Sequence, residues 1–206
     1  MRRAYSVQNV LDAKFNTLPF EGKWLDAVGE PELTGTMIIY GDTKNGKTTF
    51  AMQFAKYLTN FARVAYNSVE EGLSLSLRMA MERTEMEEVG TKLVLLEKED
   101  VAQMVRRLEK PKSPDVIFID SVQFLEMRFA QYKKLKESFP NKLFVYISHV
   151  EGDKPEGSVA RRIWRDANVA FKVKGYRALP VGRYGGGDYI DIWEEGAAKF
   201  WGLESL

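Results

Sequence analysis

Three short stretches carry residue types whose order could do chemistry. The first is Gly41, Asp42, Thr43, Lys44, Asn45, Gly46, Lys47, Thr48 and Thr49. Glycines in such a loop let the backbone turn tightly and aim its N–H groups inward, towards phosphate oxygens. Lys47 would reach the β- and γ-phosphates of a nucleotide, and the Thr48 hydroxyl would bind Mg²⁺. The spacing Gly41-x-x-x-x-Gly46-Lys47-Thr48 is the full Walker A pattern. The second stretch, Val116–Asp120, is four apolar residues ending in an acid. An acid at a strand's end can hold Mg²⁺, directly or through water. The third, Ser68-Val69-Glu70-Glu71-Gly72, sets two acids side by side. One of them could orient or activate an attacking water. The alternative is helix capping by Ser68, with acids in the first turn.

These stretches need elements to hold them. TGTMIIYG reads as a short buried strand, and KTTFAMQFAKYLTNF as a helix with Phe50, Phe54 and Leu58 on one face. ARVAYNSV, KLVLLE, DVIFID and KLFVYISHV read as further strands. SLSLRMAMERTEMEEV, EDVAQMVRRLEK and QFLEMRFAQYKKLKESF read as the helices between them. Such alternation predicts an α/β fold with a mostly parallel central sheet flanked by helices. The candidate loop then lies at a strand-to-helix junction, where a helix adds its positive end to an anion site. Residues 1–34 read as a peripheral helix and loop ending in the turn GEPELTG. From about residue 151 the pattern changes to a loop and a C-terminal β-hairpin extension with glycine-rich turns such as GRYGGGD.

At 206 residues the chain is expected to be one domain. It has no cysteine and one histidine, His149, which excludes disulfides and zinc fingers. The net charge of +1 creates no global field for nucleic acid, so any such contact must be local. No run is long and apolar enough to span a membrane, and MRRAYSVQNVLDAKF lacks a signal-peptide pattern. A cytoplasmic location is expected, in a bacterium or, for a phage-encoded chain, in its host.

The order of these motifs resembles the RecA-like ATPase core, a superfamily that includes recombinases, RadA, KaiC-type clock ATPases and DnaB-type helicases. VAYNSVEEGLSLSLRMAMER is similar to the segment of RadA and DnaB-type proteins in which a strand leads into Ser-x-Glu. By that resemblance Glu70 is the catalytic glutamate. VIFIDSVQFL resembles the Walker B strand, with Ser121 and Gln123 in the usual Asp-Ser-x-Gln. VYISHVEGD resembles the next strand, which implies a γ-phosphate sensor at His149; an ordinary hydrogen-bonding histidine is the alternative. VGRYGGG resembles the RadA-type Lys-Asn-Arg-Phe-Gly stretch. There Arg183 would be a finger acting in trans on a neighbouring subunit, with Lys172 and Lys174 as runners-up. Val181 replaces the lysine of that pattern, and Asn168 replaces an acid in the preceding helix-to-strand segment. The resemblance covers roughly residues 35–193. It implies ATP and Mg²⁺ as cofactors, hydrolysis of ATP to ADP and phosphate, and a homo-oligomeric ring or filament.

RRIWR is the best local basic patch. Arg161, Arg162 and Arg165 could meet phosphates, and Trp164 could stack on a base. The alternative is that Trp164 packs its helix on the sheet while the arginines are solvated or paired. The preceding residues 151–160 read as a mobile loop. The chain lacks room for the extra domains of RadA and DnaB-type proteins, so it most resembles stand-alone phage-type cores that assist single-strand annealing and recombination. Two functions stay open: an ATPase coupled to single-stranded DNA, of which a DnaB-like helicase core is a variant, and a KaiC-like protein switch without nucleic acid.

Overall fold

The computed structural model describes residues 4–202. Arg2 and Arg3, which belong to the signal-peptide reading, and the last four residues of the aromatic C-terminal stretch lie outside them. Helices are α1 (Val7–Leu11), α2 (Lys23–Val28), α3 (Lys47–Leu58), α4 (Leu75–Arg83), α5 (Val101–Leu108), α6 (Val122–Leu125), α7 (Phe129–Ser138), α8 (Ser158–Asp166) and α9 (Glu194–Trp201). Strands are β1 (Gly35–Gly41), β2 (Val64–Ser68), β3 (Leu93–Glu97), β4 (Val116–Asp120), β5 (Leu143–Ser148), β6 (Val150–Glu151), β7 (Lys154–Pro155), β8 (Val169–Lys174), β9 (Arg177–Gly182) and β10 (Ile190–Asp191). No described helix is long and apolar enough to cross a membrane.

Eight strands form the central sheet in the order β10-β9-β8-β1-β5-β4-β2-β3. The six from β8 to β3 are parallel, and β9 and β10 add antiparallel pairs at one edge. The apolar strands explain this. Both faces of β1, β2, β4 and β5 are buried, so each strand must be apolar throughout rather than alternating. Phe50, Phe54 and Leu58 of α3 are fully buried on one face of the sheet. The helices α7 and α8 contribute Tyr132, Leu135, Ala160 and Ile163 to the core of the other.

Several expected boundaries shift. The segment read as one helix over residues 123–139 is two, α6 and α7. Glu126 adopts a left-handed conformation (φ 50°), which ends α6. The helix expected over 74–89 stops at Arg83, and a 3-10 helix, Met86–Lys92, follows. The N-terminal segment is not merely peripheral: Leu18, Phe20 and Trp24 are buried in the α3-side core, with Trp24 stacked on Phe54 at 5.1 Å. By contrast α1 buries nothing. Residues 150–155, expected as part of a mobile loop, form the small β6–β7 hairpin. The hairpin of the C-terminal region is β8–β9, and its turn is Gly175-Tyr176 rather than GRYGGGD. The latter stretch lies along α2, where Gly187 N–H donates to the Ala27 carbonyl at 3.0 Å.

Candidate nucleotide site

In a parallel sheet, loops leaving the carboxyl ends of neighbouring strands share one crevice. The register brings four such ends level. Ser68 pairs with Asp120, Asp120 with Ile147, and Ser148 with Tyr40, next to Gly41. Residues from four separate stretches therefore converge.

The loop Gly41–Thr49 joins β1 to α3, as its pattern requires. Gly41 is needed because β8 runs close by: a Cβ there would sit 2.1 Å from the Val173 carbonyl oxygen. Gly46 has φ 98°, a left-handed conformation that glycine adopts without strain. Lys47 is buried, and its ammonium donates to the Asp42 carbonyl at 2.7 Å. Burial lowers its pKa, while Asp120, Glu70 and Asp42 pull the other way. Those pulls place both Asp120 and Glu70 within electrostatic reach of the cation.

Asp120 ends β4. Its Oδ2 accepts from the buried Tyr66 hydroxyl at 2.6 Å. Burial raises its pKa to about 6; the Tyr66 bond and Lys47 hold it down, and Glu70 and Glu71 push it further up. In the apolar strand AYN, Tyr66 reads as plain core, and no local pattern marks its hydroxyl as a partner for the acid.

The two neighbouring glutamates separate. Glu71 is exposed and accepts from Ser74 at 3.0 Å and Ser76 at 2.6 Å, at the start of α4. That is the capping role. Glu70 is anchored by its N–H to the Asp120 carbonyl at 2.9 Å. Its Oε2 meets the Ser121 hydroxyl and His149 Nε2, each at 3.0 Å. A carboxylate only accepts, so Nε2 carries the proton. The second oxygen, Oε1, makes no hydrogen bond among the described residues. Gln123 links this group to the hairpin: it donates to Ser148 Oγ and to the Glu156 carbonyl, both at 2.9 Å, and accepts from His149 N–H at 3.3 Å.

These residues fit Mg²⁺ carried in by a nucleotide. No cluster of three His, Cys, Asp or Glu side chains that could hold an ion alone occurs among the described residues. A cation sharing phosphate oxygens needs only one or two protein ligands beside water. Thr48 at the loop and Asp120, whose Oδ1 makes no hydrogen bond among the described residues, supply that donor set.

Other expected residues lie elsewhere. Arg183 is not near the chain's own loop. Its N–H bonds the Asn168 carbonyl at 3.1 Å, and Asn168 N–H bonds the Thr36 carbonyl at 2.7 Å, level with the start of β1. At ~3.3 Å per residue, β1 sets it about 20 Å from Gly41. Lys172 is at the loop end but pairs with Asp153 at 2.7 Å. Trp164 packs edge-on to Tyr40, with centroids 6.2 Å apart, which is the packing alternative rather than a free stacking platform. Arg161 is held by Glu151 at 2.5 Å, and Arg162 lies over the Phe129 ring at 5.0 Å. Arg165 is exposed. Asn168, in place of the common acid, donates to Tyr184, whose hydroxyl reaches Glu32 at 3.2 Å; an amide can also accept there, from Thr36 N–H.

A cleft of ≈ 630 Å³ opens beside the loop, lined by Lys47, Thr48, Arg83, Tyr176 and Trp193 among others. Arg83, Tyr176 and Trp193 carry no motif; only folding brings them together.

No protein-family model matches the chain, and no curated protein sequence matches it. Solved structures do. The flagellar accessory protein FlaH from Methanocaldococcus jannaschii aligns with a TM-score of 0.57 at 17% identity, over 85% of this chain and 94% of that one. A DnaB-like ATPase domain aligns at 0.56 and 14%, over 80% and 83%. The RadB recombinase aligns at 0.53 and 19%, over 82% and 92%. The chain thus has the RecA-like P-loop fold.

Proposed function

We propose that the protein hydrolyses ATP with Mg²⁺ at this crevice. One observation carries the reading. A glutamate has one oxygen clamped by Ser121 and His149 and the other free of bonds among the described residues, beside a buried lysine at the mouth of a phosphate-type loop. That arrangement suits a carboxylate that must hold a water steadily. Loop N–H groups and the start of α3 would bind the phosphates. Lys47 would leave the Asp42 carbonyl for the β- and γ-phosphates and balance the charge that develops there. Glu70 would orient the water through Oε1, while Ser121 and His149 keep its carboxylate from rotating. Thr48 and Asp120 would hold Mg²⁺, which neutralises charge on the phosphate oxygens.

Coupling to single-stranded DNA is the favoured use of this energy. Its support is the connection from His149 through Gln123 to the Glu156 carbonyl, just ahead of α8 with the basic residues Arg162 and Arg165. Arg183, remote from its own loop, would serve the site of a second copy in a ring or filament. The protein-switch reading gains from the packed Trp164 and the paired Arg161. The similar structures are named for a recombinase and for a flagellar accessory protein, so the fold accommodates either use.

Phosphate release from ATP, with and without single-stranded DNA at two salt concentrations, tests this. Salt-sensitive stimulation is expected, because phosphate contacts release counterions. Hydrolysis without any DNA binding would transfer the proposal to the switch.

A further inference from the structure

The cleft beside the loop has a second wall that the phosphate chemistry leaves unused. It is made by Tyr176, Ile192 and Trp193, facing the start of α3. Trp193 is 53% exposed although it lines a cleft. Its ring is nevertheless held in place. Tyr176 meets it edge-to-face, with centroids 5.1 Å apart and planes at 79°. The α9 backbone lies against it at Gly196, where a Cβ would come within 2.1 Å of Trp193 Cε3. A large aromatic surface fixed in position and left open is ready-made for a flat partner.

The same segment is tied to the phosphate loop. Asn45 Oδ1 accepts from Gly175 N–H at 2.7 Å, and Trp201 Nε1 donates to the Gly175 carbonyl at 3.1 Å. Gln53, on α3, donates to the Ile192 carbonyl at 3.1 Å. The Gln53 Oε1 atom is buried with no partner among the described residues. Native folds rarely keep such an atom unsatisfied, and this one lies at the seam between α3 and the C-terminal segment. A slight opening of that seam lets water reach it.

We propose that Trp193, steadied by Tyr176 and α9, is the stacking surface for the nucleobase of the bound nucleoside triphosphate, with residues 175–201 as a roof over it. This rests on the nucleotide reading above. Phosphates fixed at Gly46–Thr49 leave the nucleoside to extend along the cleft, and ≈ 630 Å³ is in the range of small-ligand pockets. Trp193 then sets affinity for the base, and it takes no part in hydrolysis.

The test compares Mg-ATP with inorganic tripolyphosphate and Mg²⁺, which has the phosphates and no base, by calorimetric titration of the intact protein. Wild-type protein is expected to bind ATP about tenfold more tightly than tripolyphosphate, the scale of one base–aromatic stack. Trp193→Ala should lose about that factor for ATP and bind tripolyphosphate unchanged, and Trp193→Phe should retain most of it. If Trp193→Ala binds ATP as wild type does, the stacking proposal is overturned while the nucleotide reading stands. Equal loss of both ligands would make Trp193 a structural support and also overturn it. If wild-type protein binds neither ligand, the nucleotide reading itself fails.

Discussion

At the carboxyl ends of β1, β2, β4 and β5, polar groups are left partly uncommitted. Among the described residues, Lys47 is buried with only a carbonyl as its hydrogen-bond partner and Glu70 keeps one oxygen free, while Asp120 has its pKa raised to about 6, chiefly by burial. At the amino ends of β1 and β8 the charges satisfy one another. Asp166 accepts from Tyr132 and, at 2.7 Å, from Lys136, and Tyr132 also meets the Thr36 hydroxyl at 3.2 Å. Burial alone would raise the Asp166 pKa, yet the bonds from Lys136 and Tyr132 outweigh it and hold it below the usual value. The difference teaches where work is done. A network closed on itself steadies the fold, whereas buried charges awaiting partners are arranged for a ligand.

Substitutions at the two ends should separate cleanly. Lys47→Ala should abolish productive ATP use, because the loop loses its buried cation; equilibrium dialysis and phosphate release check this. Arg183→Ala, at the far end, should lower turnover only in assemblies. Mixed with inactive Glu70→Gln subunits, it should regain some activity at shared interfaces, and a strictly additive mixing curve would remove Arg183 from the site. Tyr66→Phe removes a bond that lowers the Asp120 pKa. Asp120 must be ionised to hold the metal, so activity should fall as pH drops through about 6. In Tyr66→Phe that acid limb of kcat/KM should move to higher pH. A limb unmoved or shifted downward would dissociate Asp120 from the metal. The smallest effect belongs to the closed network. Tyr132→Phe should cost about 1 kcal/mol of stability in denaturant unfolding, the scale of a net hydrogen bond, with turnover unchanged.

The sequence made the phosphate end readable because its chemistry is local. Gly41–Thr49 acts through its own backbone, and the apolar strands ending near Ser68 and Asp120 show their burial directly. Glu70 and Glu71 were indistinguishable there, since only folding turns one towards Ser121 and the other onto the serines of α4. Trp193 and Tyr176 were illegible as a wall because they meet the loop from well over a hundred residues away. Arg183 had a recognisable pattern, but its distance from Gly41 follows from antiparallel β9, which only the sheet order reveals. The break at Glu126 was hidden for another reason: the helical spacing continues across it, and a left-handed residue other than glycine leaves no mark in composition.

The most direct test is ATP turnover by Glu70→Gln measured beside its ATP binding. The amide keeps the shape of the side chain and removes the charge that orients water. Binding close to wild type with turnover reduced by about 10² or more, the scale of a general base, is the expected result. Turnover near the wild-type rate would contradict the assignment of Glu70 and, with it, the proposed hydrolytic site.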